Sequence, residues 1–162
     1  MTNASHEHLP YRPCVGVMLV NRDGKVWVGQ RTDTPDTDAW QMPQGGIDTG
    51  EDPADAAIRE LREETGLLPE HFDIIQRMEG TVRYDLPADL VPKLSKGQYR
   101  GQEQTWFLAR LTADDDAIDL EADDYQEFAR WKWADPEDLP EMIVPFKKRV
   151  YSQVLEAFRE LV

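Results

Sequence analysis

Three glutamates, Glu60, Glu63 and Glu64, stand at positions i, i+3 and i+4 of a segment with helical character. Side chains at these spacings are neighbours on a helix surface, where like charges oppose one another by roughly 0.2–0.5 kcal/mol per pair. A divalent cation reverses the sign of that energy, because Mg²⁺ takes carboxylate oxygens and keeps water and phosphate oxygens as its other ligands. The spacing therefore predicts a metal-dependent enzyme of phosphate chemistry; an exposed acidic helix face is the alternative.

The helix that must position these glutamates is predicted over Pro53–Thr65. Pro53 suits a first helical turn, and Gly66 suits the position just past the end. Apolar spacing of four, three and four predicts a core-facing stripe formed by Ala54, Ile58, Leu61 and Thr65. The small side chains of Ala56 and Ala57, one turn below the carboxylates, are expected to leave room for a ligand.

The remaining elements predict a single α/β domain over residues 11–162, preceded by a loose leader at 1–10. A hairpin is expected from strands Cys14–Val20 and Val26–Gln30, which flank the turn signal at 21–24. Further elements are predicted as the strands Phe72–Gln76, Thr81–Tyr84, Gln104–Leu111 and Glu127–Trp133 and the closing amphipathic helix Pro145–Leu161. Strands with two main helices favour a mixed sheet that is covered on both faces.

Composition narrows the class of protein. The chain has 162 residues and a formal net charge of −14, which argues against a protein that coats nucleic acid through its phosphates. The acidic stretch 112–124 is expected to be a solvated loop. The single cysteine, Cys14, lies in an apolar run and is expected to be a buried thiol. No secretory signal or membrane-spanning segment is predicted, so a cytoplasmic protein is expected.

The segment that begins at Gly45 resembles the signature of the Nudix hydrolases, Gly-x5-Glu-x7-Arg-Glu-U-x-Glu-Glu-x-Gly-U, in which U is aliphatic. All nine positions are met, by Gly45, Glu51, Arg59, Glu60, Leu61, Glu63, Glu64, Gly66 and Leu67. A chance match at nine positions is on the order of one in a billion, given average residue frequencies. Other segments resemble the bacterial RNA pyrophosphohydrolase branch, also described as dinucleoside polyphosphate hydrolases: 11–13, 40–46, 83–84, 101–107 and 144–148.

This resemblance implies a Nudix-type α/β/α sandwich and a cofactor of Mg²⁺, with Mn²⁺ as a substitute. It implies a pyrophosphohydrolase that converts the 5′-triphosphate end of RNA to a 5′-monophosphate and so initiates mRNA decay. One alternative is a hydrolase that splits diadenosine tetraphosphate to ATP and AMP. A further alternative is an inactive Nudix-like binding module. The implied partners are RNA 5′ ends or dinucleoside polyphosphates, with no membrane and no extended nucleic-acid coating.

The resemblance also assigns roles to the acidic residues. Glu60 and Glu64 are expected to be the principal metal ligands and Glu63 a supplementary one; the alternative role for one of the three is to accept the proton of the attacking water. A carbonyl at Gly45 is expected to complete the coordination, since glycine permits close backbone approach. Glu127 corresponds to the family's additional ligand; an ordinary charge at a strand end is the alternative.

Supporting and substrate-binding residues are less strongly specified. Arg59 and Glu51 are expected to form an ion pair that orients the glutamates, with an ordinary surface pair as the alternative. Guanidinium and ammonium groups suit phosphate oxygens, which makes Arg12, Arg31, Arg83 and Lys147 candidates for the phosphate chain. Phe146 is expected to stack on a base. Gln102 and Gln104 are candidate base or phosphate contacts, and a structural role is the alternative for each of these residues.

Overall fold

The computed structural model describes residues 8–33 and 38–162. Within them the strands form one mixed sheet, in chain order β1 (Tyr11–Val20), β2 (Val26–Arg31), β3 (Gln44–Gly46), β4 (Phe72–Arg77), β5 (Val82–Asp85), β6 (Gly101–Leu111) and β7 (Phe128–Ala134). Their spatial order is β4-β6-β1-β2-β7, with β3 beside β1 and β5 beside β6. The central pair β1 and β6 is parallel, and the other pairs are antiparallel.

The α-helices of the described residues are α1 (Pro53–Thr65), α2 (Val91–Ser95), α3 (Leu139–Met142) and α4 (Lys148–Phe158). Short 3₁₀ turns lie at Pro69–His71, Ala88–Leu90, Asp115–Ala117, Pro136–Asp138, Pro145–Lys147 and Arg159–Leu161. Helix α1 has the predicted bounds. The side chain of Asp52 caps its first turn by accepting a bond from the Ala54 N–H, and Gly66 ends it in the left-handed region at φ 77°.

The predicted strands are present with bounds that differ by one to three residues. The predicted hairpin is confirmed: β1 and β2 are antiparallel and pair Val20 with Val26. Strand β3 and the short helices α2 and α3 were not predicted, because each has fewer than six residues and no periodicity can be read over that length. The predicted closing helix is divided into two 3₁₀ turns that flank α4.

Two apolar clusters cover the two faces of the sheet, as predicted. The face that carries α4, here called the α4 face, includes Met18, Trp106 and Tyr151. The opposite face, here called the α1 face, includes Leu61 and Phe107. Trp106 and Phe107 belong to the buried core, whereas Trp131 and Trp133 are only partly buried at the edge of the second cluster.

One expectation was wrong. Ala56 and Ala57 are fully buried in the apolar cluster on the α1 face, where they allow close packing of α1 on the sheet, so they leave no room for a ligand. The acidic stretch is the expected exposed loop, and part of it also packs on the domain. The N–H of Asp119 donates to the carbonyl of Thr65 at 2.8 Å, and Ile118 and Leu120 pack against the same cluster. The stretch therefore covers the end of α1.

The expected leader 1–10 lies partly outside the described residues, at 1–7. The last leader residue is tied to the sheet, since the carbonyl of Pro10 accepts a bond from the Arg100 N–H at 3.0 Å. The lone thiol of Cys14 is buried as expected, and burial raises its pKa to about 11. None of the helices in the described part of the chain has the length and apolarity needed to span a bilayer.

Candidate active site

Arg59, in the second turn of α1, is the hub of the acidic half of the site. Its guanidinium forms two bonds with the Glu51 carboxylate, both at 2.9 Å, and another with the carbonyl of Gly46 at 2.8 Å. Its third nitrogen donates to Glu60 at 2.9 Å and to both oxygens of Glu63 at 3.1 and 3.2 Å. One planar fork therefore fixes the loop before α1, the β3 backbone and two helix glutamates in a single arrangement.

The contact between Arg59 and Glu51 shifts the pKa values of the two groups in opposite directions. Hydrogen bonds from Arg59 lower the pKa of Glu51 to about 2, and a backbone bond from Asp48 adds to that effect. The same bonds raise the pKa of Arg59. Glu51 therefore remains charged at neutral pH and well below it.

Glu60 and Glu64 lie one helical turn apart, Glu60 half-buried and Glu64 buried. Only 2% of the surface of Glu64 is exposed, and its carboxyl group lies close to that of Glu60. Burial raises the pKa of both groups, and it raises the pKa of Glu64 well above its ordinary value because the charges of Glu60 and Glu127 add to it. Glu64 also accepts a weak bond of 3.4 Å from the Gln44 N–H. Two carboxyl groups thus share negative charge beside the β3 backbone.

Several features of this pair fit a divalent cation. The Oε2 atom of Glu64 is buried and has no hydrogen-bond partner among residues 8–33 and 38–162. Gly45 lies directly against Glu60, since a Cβ atom at that position would be 2.1 Å from the Glu60 carboxyl carbon. A cation would supply the orphan oxygen with a partner and neutralise the shared charge. In the described residues no group of three or more His, Cys, Asp or Glu side chains is already arranged around one point, because arginines hold several of the carboxylates.

Glu127 enters the site from the residue just before β7. The predicted strand start at Glu127 was wrong by one residue, since β7 begins at Phe128. The Glu127 carboxylate pairs with Arg31 at 2.7 Å, and its charge contributes to the raised pKa of Glu64. Arg31 itself forms two further bonds of 2.7 Å with Asp33. The structure therefore brings Glu127 and Arg31 to the acidic cluster, with Arg31 already occupied by two carboxylates.

Two cations without carboxylate partners in the described residues, Arg12 and Lys147, lie on the α4 face. Arg12 packs on the backbone of Gly46, where a Cβ atom would be 2.3 Å from its guanidinium. The Nζ atom of Lys147 lies 5.6 Å from the ring centre of Tyr84 and 5.9 Å from that of Phe146. Burial, together with the charge of Arg31, lowers the pKa of Lys147 to about 8. The ring of Phe146 is 5.8 Å from that of Tyr84.

A chain of side-chain amides joins the two halves. The indole N–H of Trp106 donates to the Oε1 atom of Gln104 at 2.9 Å. The Gln104 amide nitrogen in turn donates to Gln44 at 3.0 Å and to Gln102 at 2.9 Å. Because an indole can only donate, it fixes which end of the Gln104 amide carries oxygen. Gln44 and Gln102 must then accept through oxygen, which leaves both of their NH₂ groups to face other partners.

Two candidates for substrate contact are placed differently from the others. Gln104 is 1% exposed, and its amide forms hydrogen bonds with other side chains, so the structure assigns it a positioning role. Arg83 lies on the side of β5 opposite Tyr84, where it stacks over Tyr11 at 4.9 Å and pairs with Glu103 at 3.0 Å. Strand alternation therefore separates Arg83 from Lys147 and Phe146.

Sequence reasoning missed the roles of Gln44, Trp106 and Tyr84. Gln44 lies within segment 40–46, and its backbone N–H faces Glu64. The alternation Gln102, Gln104, Trp106 within one strand was the available signal, because it places two amides and an indole on the same face. Nothing in the sequence indicated that β3 would bring Gln44 to them.

Comparison with known proteins yields one family. The model of the NUDIX domain matches residues 10–154 of this chain. An RNA pyrophosphohydrolase of Erythrobacter litoralis is 55% identical over 160 residues, covering 99% of this chain and 98% of the relative. An RNA pyrophosphohydrolase of Roseobacter denitrificans is 56% identical over 158 residues, covering 98% of each chain.

Solved structures extend the likeness at the level of the fold. The dihydroneopterin triphosphate pyrophosphohydrolase of E. coli aligns with a TM-score of 0.69 and 23% identity, covering 89% of this chain and 96% of its own. An Ap4A hydrolase of C. elegans, in a binary complex, aligns with a TM-score of 0.63 and 22% identity, covering 92% and 99%. At these identities the likeness shows the fold alone.

Proposed function

The chain belongs to the NUDIX family, and on that basis we propose that it is a divalent-metal-dependent pyrophosphohydrolase that converts the 5′-triphosphate end of RNA to a 5′-monophosphate. Relatives more than half identical over nearly their whole length bear the name RNA pyrophosphohydrolase. The observation in the structure that carries the proposal is the buried oxygen of Glu64, which lacks a partner in the described part of the chain and lies beside Glu60 and within the field of Glu127. The proposal includes a role in mRNA decay and a cytoplasmic location.

The acidic residues divide into holders of the metal and positioning residues. Glu60, Glu64 and Glu127 would hold the cation, with Glu63 and the Gly45 carbonyl as supplementary ligands. Mg²⁺ suits these hard oxygen donors, and Mn²⁺ would substitute for it. When bound, the cation supplies charge neutralisation at the phosphoryl oxygens and a lowered pKa of bound water. Glu51 and Arg59 fix the orientation of Glu60 and Glu63.

The residues on the α4 face would hold the substrate. Arg12 and Lys147 carry positive charges that no carboxylate of the described residues neutralises, and a triphosphate is a polyanion that would pair with both. The Phe146 ring offers a stacking surface for a base. The free NH₂ group of Gln102, oriented by Gln104, would donate to an oxygen of the base or phosphate. Water attack then occurs on a phosphoanhydride whose position relative to Glu60 and Glu64 is fixed by these contacts.

The test is a side-by-side measurement of kcat/KM for 5′-triphosphate RNA and for diadenosine tetraphosphate, with Mg²⁺ and then with Mn²⁺. We expect RNA to be preferred, and excess chelator to abolish both activities. A preference for diadenosine tetraphosphate would support the hydrolase of dinucleoside polyphosphates. Turnover that survives in chelator would contradict the metal mechanism, and absence of hydrolysis with tight retention of substrate would indicate a binding module.

A further inference from the structure

A second aromatic surface lies on the α4 face, at the edge strand of the sheet. The ring of Trp40 is covered by two cations of β7: the Nζ atom of Lys132 lies 4.3 Å from the ring centre and the guanidinium carbon of Arg130 lies 5.3 Å from it. Arg130 is held in place by a bond of 2.7 Å to the side-chain oxygen of Gln30 on β2. We call Trp40, Arg130 and Lys132 the Trp40 platform.

The charge of this platform contrasts with that of the chain as a whole. The formal net charge is −14, yet neither Arg130 nor Lys132 forms an ion pair with a carboxylate of the described residues. Both side chains are exposed. Two exposed cations supply the positive charge with which proteins hold the backbone of single-stranded nucleic acid, and the Trp40 ring fixes the position of both.

The platform is continuous with the surface proposed to bind the 5′ end. Trp40, Met142, Val144 and Phe146 all pack against the apolar cluster of the α4 face. The Trp40 N–H donates to the Met142 carbonyl at 2.8 Å, which joins the platform to the segment that carries Phe146 and Lys147. On its other side, the segment after Trp40 is fixed by two backbone bonds between Gln41 and Gly29, and it leads directly to Gln44.

We propose that the Trp40 platform binds the single-stranded RNA chain downstream of the 5′ end. The proposal rests on the proposed function, because the platform lies on the face where Phe146 and Lys147 would hold the terminal nucleotides. A backbone that continues from there carries one phosphate per nucleotide, and Arg130 and Lys132 would each neutralise one of them. RNA longer than the terminal nucleotides therefore gains affinity that a short 5′-triphosphorylated oligonucleotide does not.

The experiment compares kcat/KM for two RNAs that share their first nucleotides, a 5′-triphosphorylated dinucleotide and an unstructured oligonucleotide of about ten nucleotides. For the unaltered protein we expect the longer RNA to be preferred. In the double variant Arg130→Gln, Lys132→Gln the ratio of the two values should approach one, while hydrolysis of the dinucleotide is unchanged. A ratio of one in the unaltered protein would overturn the proposal. The same ratio in the variant as in the unaltered protein would also overturn it, and would leave these cations only the role of protecting an exposed edge strand.

The salt dependence of the length preference provides a second test. For single strands the logarithm of affinity falls with the logarithm of salt at about 0.7 per phosphate contact, so two contacts predict that the length preference falls about sevenfold between about 50 and 200 mM salt. The double variant should lose this dependence, and the charge-conserving variant Arg130→Lys, Lys132→Arg should retain it. A matched control, Arg22→Gln with Lys25→Gln, removes the same charges at the β1–β2 turn and should leave the ratio unchanged.

The two proposals fail in different ways. If the unaltered protein hydrolyses neither RNA, the proposed function is wrong. If it hydrolyses both RNAs and the length preference is absent or independent of Arg130 and Lys132, the proposed function stands and the Trp40 platform has no part in it.

Discussion

The two halves of the candidate site treat charge in opposite ways. On α1, acidic groups are brought together and one guanidinium, that of Arg59, is shared among Glu51, Glu60 and Glu63. On the α4 face, Arg12 and Lys147 lie beside glycine and aromatic rings with no carboxylate partner in the described residues. The first half is short of positive charge and the second is short of negative charge.

This difference indicates which kind of ligand would stabilise each half. Buried carboxyl groups with raised pKa values are stabilised by a cation, and unpaired cations at a protein surface are stabilised by an anion. A metal-bound polyphosphate would meet both needs at once. The strict order of bonds around Arg59 and around Gln104 indicates that the protein fixes its own side chains in advance, so that binding does not have to order them.

The largest effect is expected from removing charge in the acidic half. Glu64→Gln should lower kcat on the order of 10³-fold, since it deletes a group expected to act on the phosphate centre. Because burial raises the pKa of Glu64, its ionised form destabilises the metal-free fold, and this cost grows as the pH rises above the ordinary value of 4.5. The variant should therefore unfold at no lower temperature than the unaltered protein in chelator at pH 7. Near-normal turnover would contradict the role of Glu64; Glu156→Gln, on the exposed side of α4, serves as the control.

Replacement of Arg59 should have the next largest effect. Arg59→Lys keeps the charge but loses the fork, so we expect activity to fall about 10- to 100-fold, as happens when groups that orient ligands are removed. Thermal unfolding should show a loss of about 2 kcal/mol, because at least one bond between charged partners is lost. Arg62→Lys, on the exposed side of the same helix, should change neither quantity. Equal behaviour of the two variants would mean that Arg59 is an ordinary surface cation.

On the α4 face the stacking residue should have the next largest effect. Phe146→Leu should lower kcat/KM for 5′-triphosphate RNA about tenfold, since loss of one stacked base costs about 1–3 kcal/mol. The loss should be smaller for diadenosine tetraphosphate. Equal losses on both substrates would argue against a surface on this face that is specific for RNA ends, and circular dichroism would show whether the fold is retained.

The amide chain that joins the halves can be broken at its origin. Trp106→Phe removes the indole N–H, after which the Gln104 amide can turn over and Gln44 and Gln102 lose their fixed orientation. We expect kcat/KM to fall about fivefold, the value of one ordinary hydrogen bond of about 1 kcal/mol. Trp27→Phe is a matched control, because Trp27 is as fully buried and its indole N–H has no partner. If both variants behave alike, packing rather than amide orientation is responsible.

The smallest effect is a pH dependence. Burial lowers the pKa of Lys147 to about 8, so this side chain is charged below that pH and becomes neutral above it. The ratio of kcat/KM between the unaltered protein and Lys147→Arg should therefore decline as the pH rises from 7 to 9, with a midpoint near 8, because arginine keeps its charge. A ratio that stays constant over this range would show that the Lys147 charge does not contribute to substrate binding.

The acidic half could be predicted almost completely from the sequence. Helix α1 has the predicted bounds, and Arg59 contacts Glu63 because a helix places residues three and four apart side by side whatever the rest of the fold does. Arg59 also reaches the predicted Glu51 in the loop before the helix. The burial of Ala56 and Ala57 was not predicted, since which side of a helix faces the core depends on the sheet beneath it.

The arrangement of the site residues on the α4 face was determined only by the tertiary structure. Arg12, Gln102 and Lys147 come from segments about 45 to 135 residues apart in the chain, and the parallel register of β1 with β6 brings the first two into one row. Composition made Arg83 as good a candidate as Arg12, yet strand alternation turned it to the other face of the sheet. Local spacing determines which side chains share a helix surface, whereas register and sheet order determine which distant side chains meet, and those depend on packing of the whole domain.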